Sequence, residues 1–146
     1  MHWDGRAIDP AAFHITLAFL GNVPVDDIPR LLKLADRMAF PACSLTLDVS
    51  GRFKRARVGW LGCTEVPGLL LEFQALLVSR LGAGGFETDS RHWKPHITLY
   101  RNLRKPCANI DIEAVRWELE GFCLMQSLQD RNGVSYRSIG RWKTGK

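Results

Sequence analysis

"HITL" stands at residues 14–17 and returns at residues 96–99 of a 146-residue chain that is otherwise free of repeats. Alternation alone does not demand one tetrapeptide twice, because any aliphatic or β-branched residues make a strand. The reason has to lie in what His and Thr do together. In an extended segment the side chains at i and i+2 share a face. His14 and Thr16 therefore point one way, while Ile15 and Leu17 point into a core. His96 and Thr98 repeat the arrangement, backed by Ile97 and Leu99. If the two strands converge, two imidazoles and two hydroxyls surround one small volume. Imidazoles can divide acid and base roles, and hydroxyls can donate to anionic oxygens. That is equipment for in-line displacement at phosphorus without a metal. Either histidine alone is best read as an ordinary satisfied or solvated strand residue. The pair of full tetrapeptides, each with strand flanks, favours chemistry. A metal site is the weaker alternative, since two histidines without a nearby third ligand fall short of a usual set.

Outward from the motifs, "HITLAFL" at 14–20 is bounded by Pro10 and Gly21 and predicts a buried strand. "VPVDDIPRLLKLADRM" at 23–38 spaces Ile28, Leu31, Leu32, Ala35 and Met38 as a helix, with Asp26 or Asp27 as cap and Pro29 in the first turn. "SLTLDVS" at 44–50 puts Leu45, Leu47 and Val49 on one face of a strand, and "RVGWLGC" at 57–63 predicts another. A second helix is expected over about 67–81, with Leu69, Phe73, Leu76, Leu77 and Leu81 inward and "GAGG" at 82–85 ending it. "KPHITLY" at 94–100 is the second motif strand. "AVRWELE" at 114–120 alternates Val115, Trp117 and Leu119, and the rest predicts two strands around "QDRNG" at 129–133. The pattern is α+β, with antiparallel sheets and helices packed outside. No linker or low-complexity tract interrupts it.

Composition bounds the rest. With 46% apolar and 24% charged residues, the chain supports one sizeable core rather than disorder. A net charge of +5 favours anionic partners but does not by itself establish nucleic-acid binding. Cys43, Cys63, Cys107 and Cys123 form no CxxC pair and read as reduced thiols of a cytosolic protein. No stretch approaches the ~20 apolar residues of a membrane span, and the polar start "MHWDGRAIDP" is unlike a secretory signal.

The paired HxTx motifs, with "FHITLAFLGNV" at 13–23, "RVGWLGC" at 57–63, "FETDSRHWKPHITLYRN" at 86–102 and "GVSYRSIGRW" at 133–142, resemble the 2H phosphoesterase superfamily. Within it the chain is similar to the RNA 2′,3′-cyclic phosphodiesterases, also called 2′-5′ RNA ligases, from about residue 5 to the end. The resemblance implies two pseudo-symmetric lobes of antiparallel sheet with outer helices around a central cleft, one HxTx strand from each lobe at its base. Residues 1–146 would form a single domain of this kind. Members usually carry an apolar strand and an amphipathic helix ahead of the first motif. Here that motif starts at position 14, so the resemblance implies a first lobe that is incomplete, with exposed apolar surface and an unpaired edge.

The implied activity is hydrolysis of a 2′,3′-cyclic phosphate on RNA or a nucleotide to a 2′-phosphomonoester, with reversible 2′-5′ joining of ends as the back reaction. By family analogy His14 is the acid and His96 the base, while Thr16 and Thr98 hold phosphate oxygens. Arg101, Phe19 and Tyr100 are further substrate-contact candidates. No metal and no cofactor is implied; the partners are RNA or oligonucleotide ends bearing a cyclic phosphate, with no membrane involved and the chain acting as a cytoplasmic monomer. Two alternatives stay open: a relative acting on another cyclic or 2′-5′-linked nucleotide, and a non-catalytic nucleotide- or RNA-binding module of the same fold.

Other residues carry less. "GRFKRAR" at 51–57 reads first as a solvated turn and edge strand, and second as a basic rim that attracts RNA. Arg101 reaches the face of His96 and Thr98 only if the strand bends. Phe19 and Tyr100 could stack a base, although aromatic core packing is the commoner fate. Tyr136 and Trp142 are expected in the core, and Ser127 toward the cleft without a catalytic role.

Overall fold

The computed structural model describes residues 3–89, 92–105 and 112–145; Cys107 lies outside them. Its strands and helices run β1 (Arg6–Ala7), α1 (Ile28–Asp36), β2 (Cys43–Leu47), β3 (Val49–Phe53), β4 (Val58–Gly62), α2 (Gly68–Ala83), β5 (His96–Arg101), β6 (Val115–Leu119), β7 (Gly121–Asp130) and β8 (Gly133–Lys143). One sheet has the order β1-β5-β4-β3, and β2–β6 and β7–β8 form two-stranded sheets. The ladders within the first sheet and between β7 and β8 are antiparallel, so the α+β expectation holds. The residues fall into two compact units, each discontinuous in sequence. One comprises the chain up to Leu17, Ser44–Val66 and His92–Trp117; the other comprises Ala18–Cys43, Pro67–Arg91 and the chain from Glu118.

In the first unit, the single strand expected over 44–50 splits at Asp48. The Asp48 amide donates to the Gly62 carbonyl (3.0 Å), and its carboxylate accepts from the Thr64 amide (2.8 Å). With its side chain committed to a neighbouring loop, Asp48 lets the chain leave β6 and pair with β4. Leu45, Leu47, Val58, Trp60, Ile97 and Leu103 are buried here together with Trp3, near the start of the chain. On β6, Val115 is 53% and Trp117 36% exposed, although they alternate on one face with Leu119. A two-stranded ladder buries a face only where another layer covers it.

The second unit holds both α-helices. On α1 the buried residues are Leu31 and Ala35, with Met38 buried just beyond its end. Pro29 occupies the first turn as expected. Asp27 sits at the cap without a side-chain capping bond and instead pairs with Arg30 at 3.4 Å. On α2 the inward stripe is Leu70, Phe73, Leu77 and Leu81, whereas Leu69 and Leu76 are exposed. "LLLEFQALLV" offers more than one apolar stripe at helical spacing, so local periodicity is ambiguous there. Packing decides: Phe73 meets Phe40 (4.9 Å between ring centroids) and Phe122 (5.1 Å). Trp142 stacks on Phe122 at 5.0 Å and its indole N–H donates to Asp36 (2.7 Å), joining β8 to α1. Tyr136, expected in the core, is exposed on β8.

Candidate active site

β5 carries the second tetrapeptide as a full strand, entered through the buried Pro95. On one side lies β4, with Gly62 opposite His96, Leu61 opposite Ile97 and Trp60 opposite Thr98. The other side of β5 takes β1, with Ala7 opposite Tyr100 and Arg6 opposite Arg101. The first tetrapeptide joins there too, but not as the strand expected over 14–20. Its contact is a single antiparallel bridge, Ile15 to Ile97. The cause is upstream. The Asp9 carboxylate accepts from the Ala11 amide (3.0 Å) and opens a 3-10 turn over Pro10–Ala12, so the chain reaches the sheet only at His14. After Leu17 it passes into the second unit.

That one bridge is enough to set the register. In an antiparallel pair centred on Ile15 and Ile97, His14 lies across from Thr98 and Thr16 across from His96. Directly opposed Cα atoms in such pairs are about 4.5–5.5 Å apart. With both isoleucines on the far face, alternation puts the four polar side chains on one face. The indole N–H of Trp93 donates to the Thr16 carbonyl (2.9 Å) and ties the segment down. Both motifs therefore belong to the same compact unit and pair crosswise.

The two imidazoles are held alike. His14 Nδ1 lies 2.8 Å from the Ala12 carbonyl, and His96 Nδ1 lies 2.7 Å from the Lys94 carbonyl, in each case two residues back. A carbonyl only accepts, so Nδ1 carries the hydrogen in both rings. Nε2 is thereby the nitrogen at which each ring takes or releases a proton.

Around His96 the sheet supplies a wall that sequence reading missed. Phe53 meets the imidazole edge-on (4.9 Å, 80°), and Trp60 lies beyond it (6.4 Å). Trp60 lies flat on the sheet because its neighbours are glycines: a methyl group at Gly51 would stand 2.2 Å from Trp60 Cζ2, and one at Gly62 would stand 2.9 Å from Cζ3. Phe53 stacks on Trp60 (5.3 Å, 29°), and the Lys94 ammonium sits 4.2 Å above the Trp60 ring. The signal was available in part, since Lys94 is two residues before His96 and Phe53 two after Gly51.

The register between β4 and β5 shifts between Gly59 and Trp60: Thr98 faces Trp60, yet Tyr100 faces Gly59. Successive residues alternate, so Tyr100 shares the face of Gly59 and not that of Thr98. There it packs edge-on against Trp3 (5.5 Å, 83°), whose ring covers Gly59. Tyr100 is thus turned away from the motif face. The same shift returns Arg101 to that face, where it is exposed. Phe19 lies in the second unit and is 68% exposed; Ser127 is exposed on β7. The "GRFKRAR" segment is the end of edge strand β3 and the turn into β4, with Arg57 in the left-handed region at φ 54°.

Among the described residues no three His, Cys, Asp or Glu side chains converge to hold a metal ion. Cys43 and Cys63 have thiols raised above the ordinary range by burial and then by the charges of Glu118 and Asp48 respectively. Burial raises Cys123 too, against the opposing pull of Arg141. None is set up as a nucleophilic thiolate. No helix among the described residues is long and apolar enough to cross a membrane.

A family model described as the 2′-5′ RNA ligase superfamily matches residues 3–131. The chain belongs to that superfamily. Among its relatives is the RNA 2′,3′-cyclic phosphodiesterase of Escherichia coli, 34% identical over 140 residues, which are 94% of this chain and 79% of the relative. The RNA 2′,3′-cyclic phosphodiesterase of Archaeoglobus fulgidus is 28% identical over 92% of this chain and 81% of its own. The crystal structure of E. coli LigT complexed with 3′-AMP superposes with a TM-score of 0.85 at 32% identity, covering 97% of this chain and 82% of LigT. The superfamily fold expected from the sequence is therefore the fold of this chain.

Proposed function

We propose that this protein hydrolyses 2′,3′-cyclic phosphates at RNA or nucleotide ends to 2′-phosphomonoesters, by paired-histidine acid–base catalysis without a metal. The observation that carries this reading is the crosswise bridge: two HxTx segments on one face, each with its imidazole Nδ1 tied to a carbonyl. The relatives named as RNA 2′,3′-cyclic phosphodiesterases support the substrate class.

In the reaction a water oxygen attacks phosphorus in line with the 3′ oxygen. One histidine, neutral at Nε2, takes the proton from that water. The second, protonated at Nε2, gives its proton to the 3′ oxygen as the P–O3′ bond breaks. By family analogy His96 is the base and His14 the acid. The Thr16 and Thr98 hydroxyls donate to the non-bridging oxygens, whose negative charge grows in the transition state. After each turnover the protonation states are exchanged, and solvent restores them. With a 5′-hydroxyl in place of water, the reverse of cleavage would join ends through a 2′-5′ linkage. Arg101 belongs to the substrate side of this face, and the chain is read as a cytoplasmic monomer.

The test is incubation with adenosine 2′,3′-cyclic phosphate in the presence of a strong chelator, with products resolved by phosphorus NMR. Adenosine 2′-monophosphate should accumulate as the sole product, with a bell-shaped dependence of rate on pH. Activity that disappears in chelator and returns with a divalent ion, or a 3′-monophosphate product, would defeat the proposal. Binding without turnover would instead favour the non-catalytic module.

A further inference from the structure

Thr16 and Thr98 match in sequence but not in how they are held. Thr98 stands inside β5, with Trp60 of β4 opposite on one side and His14 across the bridge on the other. Thr16 follows the single bridge at Ile15, and the ladder goes no further. The physical reason is Pro95. Carried two residues on, the register sets Leu17 against Pro95, which has no N–H to give to a ladder. A side chain takes over instead: the Trp93 indole N–H donates to the Thr16 carbonyl (2.9 Å). The segment from which Trp93 reaches is rigid. Pro95 is buried, and the Lys94 ammonium rests 4.2 Å from the centre of the buried Trp60 ring. The Lys94 carbonyl accepts from His96 Nδ1 (2.7 Å). Trp93 and Lys94 thus hold both members of one crosswise pair, Thr16 through a side chain and His96 through the backbone.

We infer that Trp93 is a positioning residue: its indole N–H sets the Thr16 hydroxyl opposite His96, so that the phosphoryl group is presented to that imidazole. The inference deepens the phosphodiesterase reading and rests on it for the role of Thr16. The bond lies at the surface, where water can replace either partner, so it adds little to the fold. For Thr16 it fixes a hydroxyl against a reacting group, where small displacements are costly. His14 has its own tether at the Ala12 carbonyl and Thr98 has its ladder, so neither depends on Trp93.

The test is a pair of double-variant cycles. Trp93→Phe keeps an aromatic ring without the donor. A benzothiophene analogue of Trp93, installed by codon suppression, exchanges only the N–H for sulfur and carries the comparison if Trp93→Phe unfolds. Either change should lower kcat for adenosine 2′,3′-cyclic phosphate about tenfold and weaken calorimetric binding of adenosine 2′-monophosphate about threefold. Both losses should nearly vanish in a Thr16→Val background, where no hydroxyl remains to be placed, and persist in full in Thr98→Val. Circular dichroism and the denaturation midpoint of the analogue should match the wild type. Equal losses in the two threonine backgrounds would reduce Trp93 to general support of the fold and overturn the inference. Wild-type kcat and binding in the Trp93 variants would overturn it too, as would a wild-type chain that binds no adenosine 2′-monophosphate. Absence of turnover alone would count against the phosphodiesterase reading, because the binding cycle is read without reaction.

Discussion

Replacing His96 by Ala should remove far more catalysis than stability, and the two losses can be compared in the same units. Nε2 is the nitrogen left for proton transfer once Nδ1 donates to the Lys94 carbonyl. Loss of a positioned acid or base lowers kcat by about 10²–10⁴-fold, which is about 2.7–5.4 kcal/mol of transition-state stabilisation. The fold loses less. One hydrogen bond to an exposed backbone carbonyl is worth about 0.5–1.5 kcal/mol. The edge-on contact with Phe53 is worth a similar amount. His96→Asn sharpens the comparison, because the Asn amide can donate to the Lys94 carbonyl from the place of Nδ1 but cannot transfer the proton. It should regain stability and not activity. His14→Ala should behave like His96→Ala, and the double variant should be little worse than the worse single one, because acid and base act as a unit. The assays are steady-state hydrolysis of a nucleoside 2′,3′-cyclic phosphate and urea denaturation of each variant. Near-full kcat in either single variant would refute the reasoning. So would a loss of kcat no larger than the loss of folded protein predicts.

Other consequences are separable. Gly51→Ala should destabilise the first unit by about 1–3 kcal/mol, because the new methyl group would overlap the buried Trp60 ring, which Phe53 covers. It should also lower kcat by displacing the wall beside His96, and a wild-type denaturation midpoint would show that Trp60 moves freely. In a Cys107→Ser background, alkylation of Cys43 and Cys63 should be slow at pH 7 and accelerate only above the ordinary thiol range, since burial and the charges of Glu118 and Asp48 favour the neutral thiol. The sign follows for stability as well. Folded-state values raised above unfolded ones favour the fold at lower pH, and that contribution fades as pH rises past the unfolded value. Rapid labelling of either thiol of the folded protein at neutral pH would contradict it.

Local pattern alone determined much of this protein. Period-2 alternation put His96 with Thr98 and Ile97 behind them, helical spacing located α1 and α2, and turn chemistry at 129–133 marked the β7–β8 hairpin. These features repeat within a few residues, so the residues themselves display them. What only the tertiary structure decided is non-local. The 3-10 turn at Pro10–Ala12 reduced the first motif to one bridge, and that bridge chose the crosswise partners of His14 and Thr16. The register shift at Gly59 and Trp60 turned Tyr100 away and brought Arg101 to the motif face, which a strictly alternating strand would not do. Contact between Phe40 and Phe73 selected which apolar stripe of α2 is buried. In each case the sequence permits two arrangements of similar local energy, and contacts between residues far apart in the chain separate them.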